Sequence, residues 1–250
     1  MYRKIKIKKV IFYIFILLTL LFLFYIIYNW KNFEGFENLE KYAFVINLEK
    51  RKDRLTNIQA NFKEAPFQLV RFNAVAMNPP QQGCASSFVN LVRIAKEKGL
   101  STILIFEDDN VPEPNSFENW SIIKNYLDRN MDKWEIFNGG LHGLSAIKEV
   151  IPLKNNISLI KSSGGYLTNW IYVNSSVYDK ILQWEQQGKP LIDLWFMNNF
   201  NTWCCYPLLG IQQNDYSDID KSIKNDPYEQ ITQKTNYERL LNRWSGRNTN

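Results

Sequence analysis

Thr102-Ile103-Leu104-Ile105-Phe106 runs directly into Glu107-Asp108-Asp109. No other stretch restricts the fold as tightly. Four large apolar residues in succession read as a strand buried on both faces, as in the middle of a parallel sheet. The carboxylates then fall at its C-terminal end, where open α/β sheets bind their ligands. Three neighbouring acids repel one another unless a cation sits among them. A hard divalent ion carrying substrate phosphates suits such a place, because it takes one or two carboxylates and leaves its other positions to phosphate and water. The plain alternative is a strand followed by an acidic, solvated turn.

The residues before this strand supply the partners it needs. Tyr42 to Leu48 reads as a first strand, followed by a basic helix with Leu55, Ile58 and Phe62 on one face. Pro66 ends that helix, and Phe67 to Phe72 reads as a second strand. After a loop at 79–83, Cys84 to Lys98 is amphipathic, with Phe88, Leu91, Val92 and Ala95 as its buried stripe and Gly99 as its stop. Strand, helix, strand, helix, strand is the signature of a parallel sheet with crossover helices. The second half is less regular. Phe117 to Asp132 and Ser175 to Gln187 read as helices, Trp134 to Asn138 and Tyr166 to Val173 as β-rich, and a further helix starts at Pro190.

At the N-terminus, Val10 to Tyr28 is nineteen apolar or aromatic residues interrupted by Thr19 alone. At about 1.5 Å per residue this spans the roughly 30 Å hydrocarbon core of a bilayer. Bulky Asn29-Trp30-Lys31-Asn32 follows, which is not a cleavage site. Arg3, Lys4, Lys6, Lys8 and Lys9 precede the run, and Lys31 follows it. The sequence therefore predicts a type II signal anchor, with the body lumenal (ER or Golgi) or periplasmic. The expected organisation is a cytosolic tail (1–9), an anchor (10–28), a stem (29–40), a catalytic domain (41–213) and a polar C-terminal extension (214–250). That extension carries one helical patch near Tyr237 to Trp244.

The charge balance bears on partners. The chain has 30 basic and 25 acidic residues, and five of the basic ones lie in the first nine positions. The remainder is neutral overall and makes no case for nucleic-acid binding. His142 is the only histidine. A metal site of several histidines is excluded, and in its Gly-Gly-Leu-His-Gly setting His142 reads as a solvated loop residue before a catalyst. Three cysteines (Cys84, Cys204, Cys205) cannot form a disulfide framework. One bridge from Cys84 to Cys204 or Cys205, or three buried thiols, both fit.

Several segments, in order, resemble glycosyltransferase family 25, the lipooligosaccharide and collagen galactosyltransferases. They are Val45-Ile46-Asn47-Leu48-Glu49-Lys50-Arg51-Lys52-Asp53-Arg54-Leu55, Phe72-Asn73-Ala74-Val75, Gly83-Cys84-Ala85-Ser86-Ser87, Ile105-Phe106-Glu107-Asp108-Asp109, Tyr166 to Leu182, Pro190-Leu191-Ile192-Asp193 and Ser217-Asp218-Ile219. The resemblance covers residues 41 to 220. The first acidic and basic motifs are fairly specific as a pair; each later piece is weak alone. Two departures stand out: Phe88 where the family usually has histidine, and Leu194 where it often has an acid.

The resemblance implies a GT-A-like α/β fold, a mostly parallel sheet with flanking helices. It implies an inverting transfer of galactose or a similar sugar from a UDP-sugar to a glycan, lipooligosaccharide or protein hydroxyl. Donor contacts would come from Asn47, Leu48, Arg51, Arg54, Ala74 and Asp108. Arginine suits phosphate, although Arg51 and Arg54 also fit a solvated helix face. A Mn²⁺ or Mg²⁺ would be held by Asp109, with Glu107 or Asp108 assisting; Glu107 and Asp109 are the expected pair. Asp193 is the expected general base, with an N-cap as its structural alternative.

Two other classes compete. A receiver-like signalling domain shares the acidic strand end, but its phosphoacceptor strand has no counterpart here, because Glu135 to Asn138 ends in Gly-Gly. A catalytically inactive relative serving as a binding or surface protein would follow if Phe88 and Leu194 disable the site.

Overall fold

The computed structural model describes residues 39–213, 215–219, 222–223 and 227–248. The first half runs β1 (Tyr42–Asn47), α1 (Lys52–Asn61), β2 (Gln68–Asn73), α2 (Pro80–Glu97) and β3 (Thr102–Glu107). The second runs β4 (Asn110–Pro112), α3 (Ser116–Asp128), β5 (Ile136–Asn138), β6 (Ala146–Pro152), β7 (Ser158–Ser163), β8 (Trp170–Asn174), α4 (Tyr178–Leu182), α5 (Ile192–Asn199), β9 (Thr202–Tyr206), β10 (Gly210–Gln212), β11 (Tyr216–Ser217), β12 (Ser222–Ile223) and α6 (Pro227–Asn248).

Eight strands form one sheet in the order β2-β1-β3-β8-β5-β9-β7-β6. β1 pairs parallel with β2 on one side and β3 on the other. The chain leaves β1 toward β2, then crosses back over β1 to reach β3. The C-terminal ends of β1 and β3 thus meet at a change in winding direction, the place where α/β sheets open a ligand crevice. The expected sheet was mostly parallel, and β2, β1, β3, β5, β9 and β6 do run one way; β8 and β7 run against them, so the sheet is mixed.

The apolar run of β3 behaves as its sequence requires: Ile103, Leu104, Ile105 and Phe106 are all buried. Against one face packs an aromatic cluster. Phe106 meets Trp170 edge-on at 4.7 Å, and Trp170 touches Phe62 and Trp120. Trp120 in turn stands edge-on to Tyr172 at 5.1 Å. The Tyr172 hydroxyl accepts from Thr102 and donates to Asp128, so this polar tip is satisfied within the core. α2 begins four residues before the expected Cys84, because Pro80 takes the first helical turn, where a missing N–H costs nothing. Phe88 is fully buried and edge-on to Phe196, so the position where the resemblance would put a histidine lies in the core here. All three cysteines are free thiols.

The C-terminal part expected as a polar extension is instead built onto the fold. Residues Glu40–Asn250 group as one compact unit, and α6, 22 residues long, buries Tyr237 completely. The Tyr237 hydroxyl and the Gln233 amide both donate to the Leu141 carbonyl, and Asn236 donates to that of Leu144.

The fold class and localisation expected from the sequence included an anchor at 10–28. That segment lies outside the described residues, and among these no helix is long and apolar enough to cross a membrane. The longest, α6, is rich in amide and charged side chains. The structure therefore corrects the membrane-anchored, lumenal or periplasmic expectation to a mixed α/β unit.

Trp170 links three aromatic neighbours across the sheet face. Trp170→Ala should lower the unfolding free energy by about 3–5 kcal/mol, read as a shift of the urea midpoint at unchanged slope.

Candidate functional site

Above the C-terminal ends of β1 and β3 lies a cleft of about 700 Å³. Its wall is built from the turn after β1, the 73–77 segment after β2, the acidic end of β3 and the 217–219 strap. Leu48, Arg54, Ala74, Glu107, Asp108 and Asp109, all expected at the site, line it. The parallel register sets Ile46 opposite Glu107, so the next residues on each strand face one another. Asn47, 1 % exposed, uses the meeting: its Nδ2 donates to Asp108 Oδ2 at 2.7 Å and to the Arg51 carbonyl at 2.9 Å. Its Oδ1 accepts from Arg71 Nε at 2.9 Å. One amide therefore fixes the acidic strand end, the turn after β1 and the end of β2.

Arg54 points inward from the first turn of α1. Its Nη1 lies 3.0 Å from Asp108 Oδ1 and 3.0 Å from Asp109 Oδ2, and its Nη2 donates to the Tyr216 carbonyl at 2.8 Å. Burial works against the guanidinium charge, but Asp109 and Asp108 outweigh it and raise the pKa. Burial and Asp109 push Asp108 upward, and Arg54 and Asn47 pull against them. Arg54 is thus neither a solvated helix face nor a free phosphate hook; it is the counter-ion of two buried aspartates.

Arg51 sits farther out. It holds Asp53, Asp215 at 2.8 Å and Asp218 at 2.6 Å, and donates to the Tyr216 carbonyl. Its pKa is raised by the hydrogen bond it donates to Asp53 and, against burial, by Asp218 and Asp215. Lys50 also pairs with Asp218. Arg51 and Arg54 together fasten the 215–218 strap along the cleft.

Glu107 departs from its expected role. Its carboxylate accepts a hydrogen bond from Thr168. Burial, then Asp109, push its pKa up to about 8. With no cation beside it, that shift favours the protonated form of Glu107 at pH 7. Asp109 is the stronger candidate. Its Oδ2 accepts from Arg54 and from Gln212 Nε2 at 3.0 Å, while its Oδ1 is buried with no hydrogen-bond partner. Five carboxyls (Glu49, Glu107, Asp108, Asp109, Asp218) line the cleft against three cations (Lys50, Lys52, Arg54). An orphaned carboxylate oxygen in an acid-rich cleft fits a divalent ion. Among the described residues no three His, Cys, Asp or Glu side chains converge on a point. The chain therefore offers such an ion one carboxylate, with the rest of its shell left to phosphate and water, which is how Mg²⁺ is held in phosphate-transfer sites.

Asp193 is not in the cleft wall. It lies in the first turn of α5, where the helix dipole favours a carboxylate. The helix caps at Leu191, so Asp193 is not the N-cap. Its Oδ1 accepts from the Leu194 amide at 2.7 Å and its Oδ2 from the Leu167 amide at 3.3 Å. Thr168, the next residue, is the one bonded to Glu107. The 167–168 peptide thus bridges Asp193 to the acidic strand end, and the Asp193 charge is among those raising Glu107. His142, expected in solvent, is 5 % exposed and pairs with Tyr166 through its backbone. Gln212 and Thr168 carry no sequence signal of a site; only the β4–β10 pairing and the β8 approach place them there.

No family model matches this sequence. No curated protein matches it either. Among solved structures, the STIV protein A197 aligns over 74 % of this chain and 95 % of its own, at 14 % identity and a TM-score of 0.43. A glycosyltransferase involved in the glycosylation of the major capsid of PBCV-1 aligns over 72 % and 95 %, at 9 % identity and 0.46. A putative glucose-1-phosphate thymidylyltransferase from Bacillus anthracis aligns over 64 % and 65 %, at 11 % identity and 0.35. These are coarse likenesses of a mixed α/β architecture.

The raised Glu107 carboxyl has a signed consequence. The folded protein holds this proton to about pH 8, whereas the unfolded chain releases it near pH 4.3. Its contribution is full below the lower value and is lost as pH rises through the upper one. In metal-free buffer, Glu107→Gln should match wild type in melting temperature near pH 4 and exceed it by pH 9. Parallel profiles for the two proteins would refute the protonated state.

Proposed function

We propose that this chain is a nucleotide-sugar-dependent glycosyltransferase, moving a hexosyl unit from a UDP-sugar to an acceptor hydroxyl with inversion. The observation that carries the reading is the packing of Asp108, Asp109 and Arg54 into one buried junction at the switch point of the sheet, inside a cleft of about 700 Å³. A cleft of this size suits a ligand of several hundred daltons.

In this reading the nucleoside lies along Leu48 and Ala74, where the wall is apolar and the side chains are short. Arg54 is engaged by Asp108 and Asp109 and Arg51 by Asp53, Asp215 and Asp218, so in this reading the two arginines hold the acidic wall and the strap against which the diphosphate lies. Acids outnumber cations in the cleft wall, so a dianionic diphosphate entering alone meets net repulsion. A Mn²⁺ or Mg²⁺ held by Asp109 would remove that repulsion and stabilise the charge that grows on the leaving diphosphate.

The acceptor oxygen attacks the anomeric carbon as the bond from that carbon to the diphosphate breaks. The hydroxyl proton passes to Asp193, and UDP leaves with the bonding pair. The Leu167 and Leu194 amides hold both Asp193 oxygens in place, and each oxygen retains a lone pair for the proton. Of the two departures from the resemblance, Phe88 is buried in the core, and Leu194 is exposed and gives its backbone amide to Asp193, a contact that does not depend on its side chain.

Two substitutions test this. Asp109→Asn keeps the shape and should lower UDP-sugar turnover by about a hundredfold or more, the scale of lost metal electrostatics. Equal wild-type activity in excess chelator would defeat the metal assignment. Asp193→Asn should lower transfer by roughly 10²–10⁴-fold, the usual value of a general base, with UDP affinity by calorimetry unchanged. Near-wild-type transfer would remove Asp193 from the mechanism.

A further inference from the structure

Most of the charged side chains lining the cleft already have partners. Arg54 holds Asp108 and Asp109, Lys50 holds Asp218, and Glu107 takes the Thr168 hydroxyl. Glu49 and Lys52 line the same wall. Among the described residues, neither of these two side chains makes a hydrogen bond or an ion pair, and they do not pair with each other.

Both belong to the connection from β1 to α1. That connection is fixed from within: the Arg51 amide donates to the Leu48 carbonyl at 2.9 Å, and Asn47 Nδ2 donates to the Arg51 carbonyl at 2.9 Å. Lys52 is the first residue of α1, at the end of a helix that attracts anions. Three residues of chain reach no farther than about 11 Å. A carboxylate and an ammonium are therefore offered to one small ligand. Unpaired charges are ordinary on an open surface, but these two line a concave wall in which the other charges are matched.

We propose that Glu49 and Lys52 read the ribose and the diphosphate of the nucleotide. The Glu49 carboxylate accepts from the ribose hydroxyls, and the Lys52 ammonium donates to a phosphate oxygen. The two chemistries together select the ligand. An ionised carboxylate only accepts, so it takes a hydroxyl and repels a phosphate. An ammonium only donates, and its bond to a phosphate oxygen is charge-assisted. A ribose 5′-diphosphate carries a diol at one end of its sugar and the anion at the other, so one ligand answers both groups. Dinucleotide sites use an acidic side chain on a ribose hydroxyl in the same way. Arg51 and Arg54 are already spent on aspartates, which leaves Lys52 as the cation of this wall free to meet a phosphate. The proposal rests on the nucleotide-sugar reading above. It adds the two groups that choose ribose over deoxyribose and a diphosphate over a bare nucleoside.

Calorimetry on the full chain with Mg²⁺, using UDP, 2′-deoxy-UDP and uridine as probes, tests it. Wild type should bind UDP more tightly than either of the others. Glu49→Ala should weaken UDP about tenfold, the scale of one screened charge-assisted contact, and bring it close to 2′-deoxy-UDP. Lys52→Ala should weaken UDP by a similar factor and leave uridine unchanged, and Lys52→Arg should keep most of the UDP affinity. A preference for UDP over 2′-deoxy-UDP that survives Glu49→Ala overturns the assignment. Equal losses of UDP and uridine in Lys52→Ala do the same, as does a wild type that binds no UDP. A chain that shows both effects but neither transfers nor hydrolyses a UDP-sugar overturns the transferase reading alone. Both side chains are exposed, so both alanine variants should melt with wild type by circular dichroism, which separates lost contacts from lost fold.

Discussion

The Arg54 guanidinium between Asp108 and Asp109 is the interaction on which the site depends. Two adjacent aspartates, both under a tenth exposed, would repel each other strongly at the end of a buried strand. A charge taken out of water needs a paired, hydrogen-bonded partner. Arg54 supplies it from α1, and Asn47 holds the remaining oxygen of Asp108. Both partners come from the β1–α1 unit, so the acidic strand end is stable only when β1 and β3 are side by side. The parallel pairing and the charge cluster therefore require one another. Removing Arg54 alone would leave two buried charges unpaired, which costs more than the pair itself contributes.

The first half of the fold was legible because its burial is extreme. β3 is apolar at consecutive positions, and α2 has a stripe at helical spacing, so one period each identifies them. The second half lacked such a signal. β6 alternates imperfectly, and its pairing with β7 shifts register between Ile147 and Glu149, which breaks a period of two. α6 is mostly polar, with Tyr237 its one fully buried large side chain, so its sequence reads as a tail. The antiparallel insertion of β8 beside β3 was equally hidden, because periodicity reports burial and not strand direction. The cleft residues on the first half were found for the same reason the elements were. Thr168, Gln212 and the burial of His142 depend on long-range pairing that no local pattern encodes.

The resemblance located the acidic motif and Asp193 but said little about how each is used. Geometry separates three carboxylates that look alike in sequence. Asp108 has both oxygens engaged by Asn47 and Arg54, Glu107 is paired with Thr168 and its pKa is raised by burial, and Asp109 has one oxygen buried without a hydrogen-bond partner. The strand ends at Glu107, so Asp108 and Asp109 escape its alternation and reach the same Arg54 nitrogen.

The 164–169 loop connects the acidic strand end to Asp193. Gly164 and Gly165 take positive φ, as does Leu167, so the backbone folds tightly before entering β8. That path ties Asp193 to Leu167 and Glu107 to Thr168 within two consecutive residues. The two carboxyls are near enough for the Asp193 charge to raise the Glu107 pKa. Tyr216, half-exposed, lies on the strap, and its backbone carbonyl accepts from both Arg51 and Arg54, so the strap is fastened to the β1–α1 unit through its main chain as well as through Asp215 and Asp218.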